Sequence, residues 1–261
     1  QVHCDPSLSG ENLVQVLTER DPEVLIVRST RVEAEHLEAA HRLSLVVRAG
    51  AGVNTIDRTT ASARGVYVAN CPGKNAAAVA ELAWGHILNA DRRISDAVSD
   101  LRNGQWKKKT YARAVGIKGR TLGVLGCGGI GREVIRRAHA FETPVIAWSR
   151  SLTDAQAEEL GVERADSPME VAKRCSVLSV HLALNDDTRG IVNQEMLDAL
   201  GENAIFVNTS RGDLVDETAL ARAVKNNGLR VGLDVFLDQL KLVANIKGPI
   251  ELINNFCVHT D

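Results

Sequence analysis

The sequence has few aromatic residues, no excess of either charge and no long apolar run. Aromatic residues make up 3% of the 261 residues, and the formal net charge is −2. Nucleic-acid-binding surfaces need clustered positive charge or aromatic rings on which bases stack, so we expect no nucleic-acid partner. No stretch approaches the roughly 20 consecutive apolar residues of a membrane-spanning helix, so we expect no membrane partner either.

The five cysteines are scattered along the chain, odd in number and never arranged as C-x-x-C. This pattern is typical of reduced thiols and argues against a disulfide framework or a zinc site. The sequence therefore predicts no metal centre and a cytoplasmic location.

A glycine cluster follows the strand-like run Thr121–Leu125. Gly126, Gly128 and Gly131 fit G-x-G-x-x-G, a helical pattern follows, and a second predicted strand at 144–148 completes the unit. The three glycines would permit a tight turn, close approach of a diphosphate, and close packing of helix on strand. Backbone amides at the start of the helix favour an anion. We therefore predict a nucleotide-binding turn, the alternative being a glycine-rich turn of another doubly wound domain. The expected cofactor contacts here are Gly126, Gly128, Gly129, Ile130 and Gly131.

Strands alternate with helices on both sides of a long helical stretch at 75–103. The predicted strands lie at 1–5, 24–27, 45–47, 66–69, 121–125, 144–148, 176–180, 204–208 and 231–235. Alternation of this kind predicts an α/β fold with parallel sheets covered on both faces. Gly161, Gly201 and Gly228 are placed where helices are expected to stop.

Several further stretches, in their order and spacing, resemble the D-2-hydroxyacid dehydrogenases, and among them those that act on 3-phosphoglycerate. Besides the glycine turn they are Val27–Thr30, Arg48–Asp57, Asn70–Asn75, Val180-His181, Asp187–Gly190, Asn208–Asp216 and Gly232–Phe236. The resemblance covers nearly the whole chain. It implies two doubly wound parallel-sheet domains, a Rossmann-type nucleotide domain inserted into a flavodoxin-like substrate domain. We expect residues 1–75 and 250–261 to form the substrate-binding domain, truncated at both ends, and 76–249 the NAD(P)-binding domain. A homodimer or homotetramer is also implied.

The implied reaction is hydride transfer between C2 of a D-2-hydroxy acid and a nicotinamide ring. Arg211, just after a predicted strand, would hold the substrate carboxylate and polarise the carbonyl. The alternative is an arginine in a surface salt bridge. Asp234 would bind the nicotinamide carboxamide unless it only caps a turn. Thr209 and Ser210 are expected to contact the cofactor.

The family's acid–base pair is a histidine oriented by a glutamate in Asp-Val-Phe-x-x-Glu-Pro. Here Gln239 occupies the glutamate position, and the proline is absent. The catalytic histidine is expected to be His259 or to lie beyond Asp261. His181 is interpreted as a cofactor-side or core histidine.

Basic residues at two strand ends favour a phosphorylated substrate. Arg28 and Arg48 would bind the phosphate of 3-phosphoglycerate, unless they are ordinary strand-end arginines. Small residues after Arg48 could form a backbone nest for the carboxylate. The expected substrate contacts are Arg28, Ser29, Arg48, Ala49, Gly50, Ala51 and Gly52.

The second strand of the nucleotide unit ends in Ser149 and Arg150, where a carboxylate would hold a free ribose 2′-OH. Serine and arginine suit a 2′-phosphate, so NAD or NADP is expected, with NADP slightly favoured. NAD would stay preferred if Arg150 points to solvent.

The sequence thus favours oxidation of 3-phosphoglycerate to 3-phosphohydroxypyruvate, as in serine biosynthesis. A glyoxylate or hydroxypyruvate reductase on the same scaffold is the second interpretation. A non-catalytic, NAD(H)-sensing corepressor-like protein is the third, and Gln239 favours it.

Overall fold

The computed structural model describes residues 2–237 and the backbone of 250–252. The chain divides into two compact units, Gln1–Asn75 and Ala76–Asp261. Among the residues described, no helix combines the length and apolar composition that crossing a membrane requires.

The first unit carries a three-stranded parallel sheet. Its elements are α1 (Gly10–Arg20), β1 (Val24–Val27), α2 (Ala34–Ala39), β2 (Leu45–Arg48), α3 (Arg58–Ala63) and β3 (Tyr67–Asn70). The sheet order is β1-β2-β3, and Val27 pairs with Arg48, so the carboxyl ends of β1 and β2 are adjacent. Leu13, Leu37 and Val46 are buried between helices and sheet.

The predicted strand at 1–5 is wrong for the residues described. Residues 2–5 pair with no strand, and Val2 is 94% exposed. Val2 is the one β-branched residue in this polar segment, and Pro6 follows with no backbone N–H to donate.

The second unit alternates strands and helices after an entirely helical start. Its helices are α4 (Ala76–Arg92), α5 (Ile94–Arg102), α6 (Lys108–Tyr111), α7 (Gly129–Ala140), α8 (Asp154–Leu160), α9 (Pro168–Arg174), α10 (Gln194–Ala199) and α11 (Glu217–Asn227), with a 3₁₀ turn at Gly212–Leu214. Its strands are β4 (Leu122–Leu125), β5 (Val145–Trp148), β6 (Glu163–Arg164), β7 (Val177–Val180), β8 (Ile205–Asn208), β9 (Arg230–Leu233) and β10 (Ile250–Leu252).

These strands form one parallel sheet of order β10-β9-β8-β7-β4-β5-β6. From β4 the chain proceeds to β5 and β6 on one side, then crosses back to β7 on the other. Ligands of doubly wound sheets bind where this reversal occurs, outside the carboxyl ends of the strands. Every residue of β4, β7 and β8 is buried, because apolar layers cover both faces. The predicted α/β fold with parallel sheets is confirmed.

The strand Ile250–Leu252 extends the seven-stranded sheet. Ile250 pairs in parallel with Val231, so these three residues belong to the sheet of the second unit rather than to the substrate-binding domain where we expected them. This pairing gives the backbone N–H and C=O groups on the outer side of β9 hydrogen-bond partners, which they would lack if β9 were the edge strand. The remaining residues of 250–261 lie outside the described part of the chain.

The predicted helix at 75–103 is in fact two helices that meet at Arg93. Arg93 has a left-handed backbone (φ 54°), and the Ser95 N–H donates to Asn89 Oδ1 at 3.0 Å, which caps the second helix from the first. Neither glycine nor proline marks this break, so the sequence pattern missed it.

Two of the three predicted glycine stops are confirmed. Gly161 and Gly228 end α8 and α11 in the left-handed conformation. Gly201 does not, because α10 already ends at Ala199 and Leu200 is extended.

Candidate dinucleotide-binding site

Two glycines of the turn after β4 are required by the fold itself. Gly126 has φ 101°, and a Cβ there would lie 2.5 Å from the carbonyl oxygen of His181. A Cβ on Gly131 would overlap the carbonyl oxygen of Gly126. Gly126 therefore lets the chain turn against β7, and Gly131 lets α7 pack closely on β4.

Gly128 differs from the other two. Its φ is −72°, which any residue can adopt, and a Cβ there would meet no heavy atom of the described residues within 4 Å. Packing within the chain therefore does not explain this glycine, whereas a ligand that approaches the backbone closely would.

The start of α7 offers hydrogen-bond donors. Gly128 is its N-cap and provides no side-chain acceptor, and the first intrahelical bond runs from the Arg132 N–H to the Gly128 carbonyl at 2.9 Å. In the described ranges, the amides of Gly129 and Ile130 have no acceptor. The positive end of the helix dipole adds to these free donors, so the residues present fit a bound diphosphate.

His181 follows β7 beside this turn. Its N–H donates to the Leu125 carbonyl at 2.7 Å, its Nε2 lies 2.8 Å from Ser179 Oγ, and its Nδ1 is buried with no partner among the described residues. Burial lowers the pKa of His181 to about 4, because the charged ring would lose its hydration. A ring whose pKa is about 4 is a weak base at pH 7, which agrees with the interpretation of His181 as a cofactor-side or core residue.

The segment after β8 is held by its own side chains. Ser210 Oγ donates to the Val180 carbonyl at 2.8 Å, and Asn208 Nδ2 donates to the Arg211 carbonyl at 2.9 Å. Thr209 Oγ1 is buried and has no partner among the residues described. Ser210 therefore fixes the segment, and Thr209 keeps a hydroxyl available for a ligand.

Arg211 is half-buried and extended at the start of the 3₁₀ turn. Its Nη1 donates to the Ser210 carbonyl at 2.6 Å. Within residues 2–237, no carboxylate oxygen lies within 4.0 Å of its guanidinium. Arg211 therefore forms no salt bridge with this part of the chain, which was the alternative interpretation. A partly buried guanidinium without a carboxylate partner is suited to bind an anionic ligand.

Asp234 follows β9, the strand next to β8 in the sheet. Its N–H donates to the Asn208 carbonyl at 3.2 Å, and burial raises the pKa of its carboxyl group. Asp234 and Arg211 therefore lie at the carboxyl ends of adjacent strands.

Ser149 and Arg150 follow β5, on the other side of β4. Ser149 is half-buried, and its carbonyl accepts the Leu152 N–H at 3.0 Å. Arg150 is exposed, and its Nη1 lies 3.7 Å from Oδ2 of Asp187, in the loop after β7. The sequence interpretation missed this pairing, although Asp187 opens one of the stretches on which the family resemblance was based.

In the first unit, Arg28 and Ser29 follow β1 and are exposed, whereas Arg48 ends β2 and is half-buried. Arg48 Nε is buried with no partner in the described part of the chain, and its guanidinium lies against Gly50, where a Cβ would overlap it. No carboxylate among the described residues lies within 4.0 Å of either arginine.

The backbone nest expected at 49–52 is smaller than predicted. The Ala49 N–H donates to the Val27 carbonyl at 2.7 Å and the Gly50 N–H to the Arg48 carbonyl at 2.8 Å. Amides already used by the chain cannot hold a carboxylate, so the nest is reduced to the amides of Ala51 and Gly52, which have no acceptor among the residues described.

The predicted Gln239 and His259 lie outside the described residues. Their roles, and the position of the catalytic histidine, stay predictions.

Comparisons with known proteins agree with this geometry. Residues 84–253 match the family described as "D-isomer specific 2-hydroxyacid dehydrogenase, NAD binding domain". The chain is 37% identical over 241 residues to D-3-phosphoglycerate dehydrogenase of Methanocaldococcus jannaschii, covering 92% of this chain and 45% of that protein. It is 38% identical to hydroxypyruvate reductase of Thermotoga maritima, covering 88% of this chain and 73% of that protein. The chain thus spans less than half the length of the former relative.

A solved structure extends the likeness to three dimensions. The TT0316 protein from Thermus thermophilus superposes with a TM-score of 0.82 at 31% identity, covering 92% of this chain and 75% of that one. Sequence and fold agree, and the family match covers the sheet whose carboxyl edge carries the glycine turn. The chain therefore belongs to the D-isomer-specific 2-hydroxyacid dehydrogenases.

Proposed function

We propose that the protein is an NAD(P)-dependent dehydrogenase that oxidises D-3-phosphoglycerate to 3-phosphohydroxypyruvate, or catalyses the reverse reaction. One observation carries the proposal: the Arg211 guanidinium, which has no carboxylate partner among the described residues, lies at the same edge of the sheet as the glycine turn. Such an edge offers an anion-binding group for the substrate beside a backbone suited to a diphosphate.

The bound nicotinamide would accept or supply the hydride. The chain's part is to hold the cofactor in one orientation. The amides of Gly129 and Ile130 would bind its diphosphate. The buried hydroxyl of Thr209, which has no partner among the described residues, would form a hydrogen bond with the cofactor. The half-buried carboxylate of Asp234 would accept a hydrogen bond from the carboxamide, which compensates for lost hydration.

Arg211 would hold the substrate carboxylate and stabilise negative charge on the oxygen at C2 during reduction. Charge-assisted, bidentate hydrogen bonds of this kind are stronger than neutral ones and also fix the geometry. Proton transfer at that oxygen is assigned to a histidine, His259 or one beyond Asp261, with Gln239 beside it. Glutamine can orient an imidazole but does not stabilise its charged form as a carboxylate would.

Arg28 and Arg48 would bind the substrate phosphate. Support comes from their position at the carboxyl ends of adjacent strands and from the absence of a carboxylate within 4.0 Å in the described residues. A charge-assisted hydrogen bond contributes about 1.5–3 kcal/mol, which corresponds to roughly a 10- to 100-fold change in affinity.

The test is turnover of 3-phosphohydroxypyruvate, hydroxypyruvate and glyoxylate, followed by the loss of reduced-nicotinamide absorbance. We expect the phosphorylated substrate to give the highest kcat/KM. Arg28→Ala should lower kcat/KM for it by about 10- to 100-fold and leave the other two nearly unchanged. An equal loss on all three would refute the phosphate-binding role.

A glyoxylate or hydroxypyruvate reductase is the second candidate. The relative from Thermotoga maritima is named as a hydroxypyruvate reductase, and this chain covers 73% of it. Preference for an unphosphorylated substrate in the same assay would favour this function. A third possibility is a non-catalytic NAD(H)-binding protein, which Gln239 favours. Cofactor binding without turnover of any of these substrates would support it.

We also propose a homodimer, formed through helix α5. No residue of α5 is buried, yet Ile94, Val98 and Leu101 lie 42–57% exposed at spacings of three and four residues. A second copy of this helix would cover such an apolar face. Light scattering should give twice the mass of one protomer, and the Val98→Lys variant should give the mass of a single protomer.

We also propose a cytoplasmic location, which is supported by the scattered cysteines without a disulfide or zinc pattern.

A further inference from the structure

Arg150 and Asp187 lie in loops that flank the glycine turn. Arg150 follows β5 and Asp187 follows β7, and these strands are the two neighbours of β4 in the sheet. Adjacent strands are about 4.8 Å apart, so β5 and β7 are separated by about 10 Å. The approach of Arg150 Nη1 to Asp187 Oδ2 at 3.7 Å therefore joins two loops across the strand that carries the turn.

The loop that bears Asp187 is held by its own hydrogen bonds. The Asn185 N–H donates to Thr188 Oγ1 at 2.9 Å, and the Thr188 N–H donates back to Asn185 Oδ1 at 3.0 Å. Thr188 Oγ1 also donates to the Ala183 carbonyl at 2.7 Å. Asp187 lies inside this closed turn, so its backbone position is fixed although its side chain is exposed.

The chemistry of the ribose end explains why this carboxylate matters. A 2′-phosphate carries about two negative charges near Ser149 and Arg150, whereas a free 2′-hydroxyl carries none. The Arg150 guanidinium, which a 2′-phosphate would need as its partner, is already paired with the Asp187 carboxylate. Its own charge would also repel the phosphate from the opposite side of the turn.

We propose that Asp187 is a specificity-determining residue that lowers the affinity for a 2′-phosphorylated dinucleotide and leaves the affinity for an unphosphorylated one unchanged. The inference rests on the proposed function, namely that the glycine turn holds a dinucleotide. It opposes the preference for NADP that Ser149 and Arg150 favour, so the balance between the two cofactors depends on three residues rather than two.

The expected change in affinity is small because both side chains of the Arg150–Asp187 pair are exposed to water. The side chains of Arg150 and Asp187 are 80% and 84% exposed, so water screens their interaction. Exposed ion pairs are worth little, and we expect a change of roughly two- to fivefold in the dissociation constant.

The experiment measures binding rather than turnover. Isothermal titration of the chain with 5′-AMP and with 2′,5′-ADP compares two ligands that differ by the 2′-phosphate. Asp187→Asn should lower the dissociation constant of 2′,5′-ADP about two- to fivefold and change that of 5′-AMP less than about twofold. The matched control is Asp186→Asn, which removes the same charge from the neighbouring exposed residue, for which no ion pair occurs among the described residues. It should change neither ligand by more than about twofold.

Arg150→Ala tests the route of the effect. This variant should weaken 2′,5′-ADP, and adding Asp187→Asn to it should tighten that ligand less than in the wild type, because no shared guanidinium is released. Equal tightening by Asp186→Asn would overturn the inference in favour of a general charge effect. Equal changes for both ligands would overturn it in favour of a change in the loop. If 5′-AMP binds and Asp187→Asn leaves 2′,5′-ADP unaffected, the inference alone fails. If neither ligand binds, the proposed function fails with it.

Discussion

Gly128→Ala separates a glycine required by a ligand from one required by the fold. In the described part of the chain, a Cβ at Gly128 meets no heavy atom within 4 Å, and the backbone there is one that alanine adopts freely. We therefore expect the free energy of unfolding to change by less than about 1 kcal/mol, in either direction, since alanine also restricts the unfolded chain. Cofactor affinity should fall at least about tenfold, or 1.4 kcal/mol, because the methyl group occupies the surface that the diphosphate approaches.

Gly126→Ala and Gly131→Ala should behave in the opposite way. The first combines φ 101° with a Cβ 2.5 Å from a carbonyl oxygen of β7's loop, and the second would force α7 away from β4. Backbone strain and overlap with backbone atoms that cannot move aside should together cost roughly 3 kcal/mol or more. In a unit of this size that corresponds to a fall in Tm of about 6–12 °C.

The assay is thermal unfolding with and without cofactor, combined with a binding titration. Wild-type protein at a cofactor concentration of about 100 times Kd should gain about 2.7 kcal/mol of stability. Gly128→Ala should unfold at the wild-type temperature without cofactor and gain much less with it. If Gly128→Ala bound the cofactor as tightly as the wild type, the diphosphate would not lie at this turn. If it unfolded as early as Gly126→Ala, the space at Gly128 would not be open.

Three further predictions concern the cofactor, the acid–base group and acid stability. Ser149→Asp should lower kcat/KM with NADP by about tenfold or more relative to NAD, because a carboxylate repels the 2′-phosphate; an unchanged ratio would mean that residue 149 does not face the ribose. Gln239→Glu should raise the apparent pKa in the pH–rate profile, since a carboxylate stabilises the charged imidazole; no shift would show that residue 239 is not beside the catalytic histidine. Burial lowers the pKa of His86 to about 4 from 6.5, so the unfolded chain binds the proton more readily, and the free energy of unfolding should fall as pH drops from 6.5 towards 4. Denaturant titrations should show a shallower fall in His86→Leu, and an identical fall would assign the effect to other groups.

Much of the fold was predictable because its signals are local. Strands of these parallel sheets appear as short apolar runs, so β1, β2, β4, β5, β7 and β8 lie within one residue of their predicted limits. The stops at Gly161 and Gly228 were predictable because glycine adopts the left-handed conformation without strain. The break at Arg93 was not, since it is stabilised by a contact between Asn89 and Ser95, six positions apart, and neither glycine nor proline marks it.

The sequence by itself determined the family, the parallel α/β architecture and the glycine turn between β4 and α7. These depend on residue types at fixed short spacings, where a strand, three glycines and a helix must follow one another. Only the tertiary structure decided which of those glycines the fold requires and which hydroxyls are already bonded. It alone brought Arg150 beside Asp187, because that pair is separated by 37 positions along the chain and depends on the sheet order that places β5 and β7 on either side of β4. A salt bridge between loops leaves no periodic pattern in the sequence, since each partner is constrained by a neighbour in space rather than along the chain.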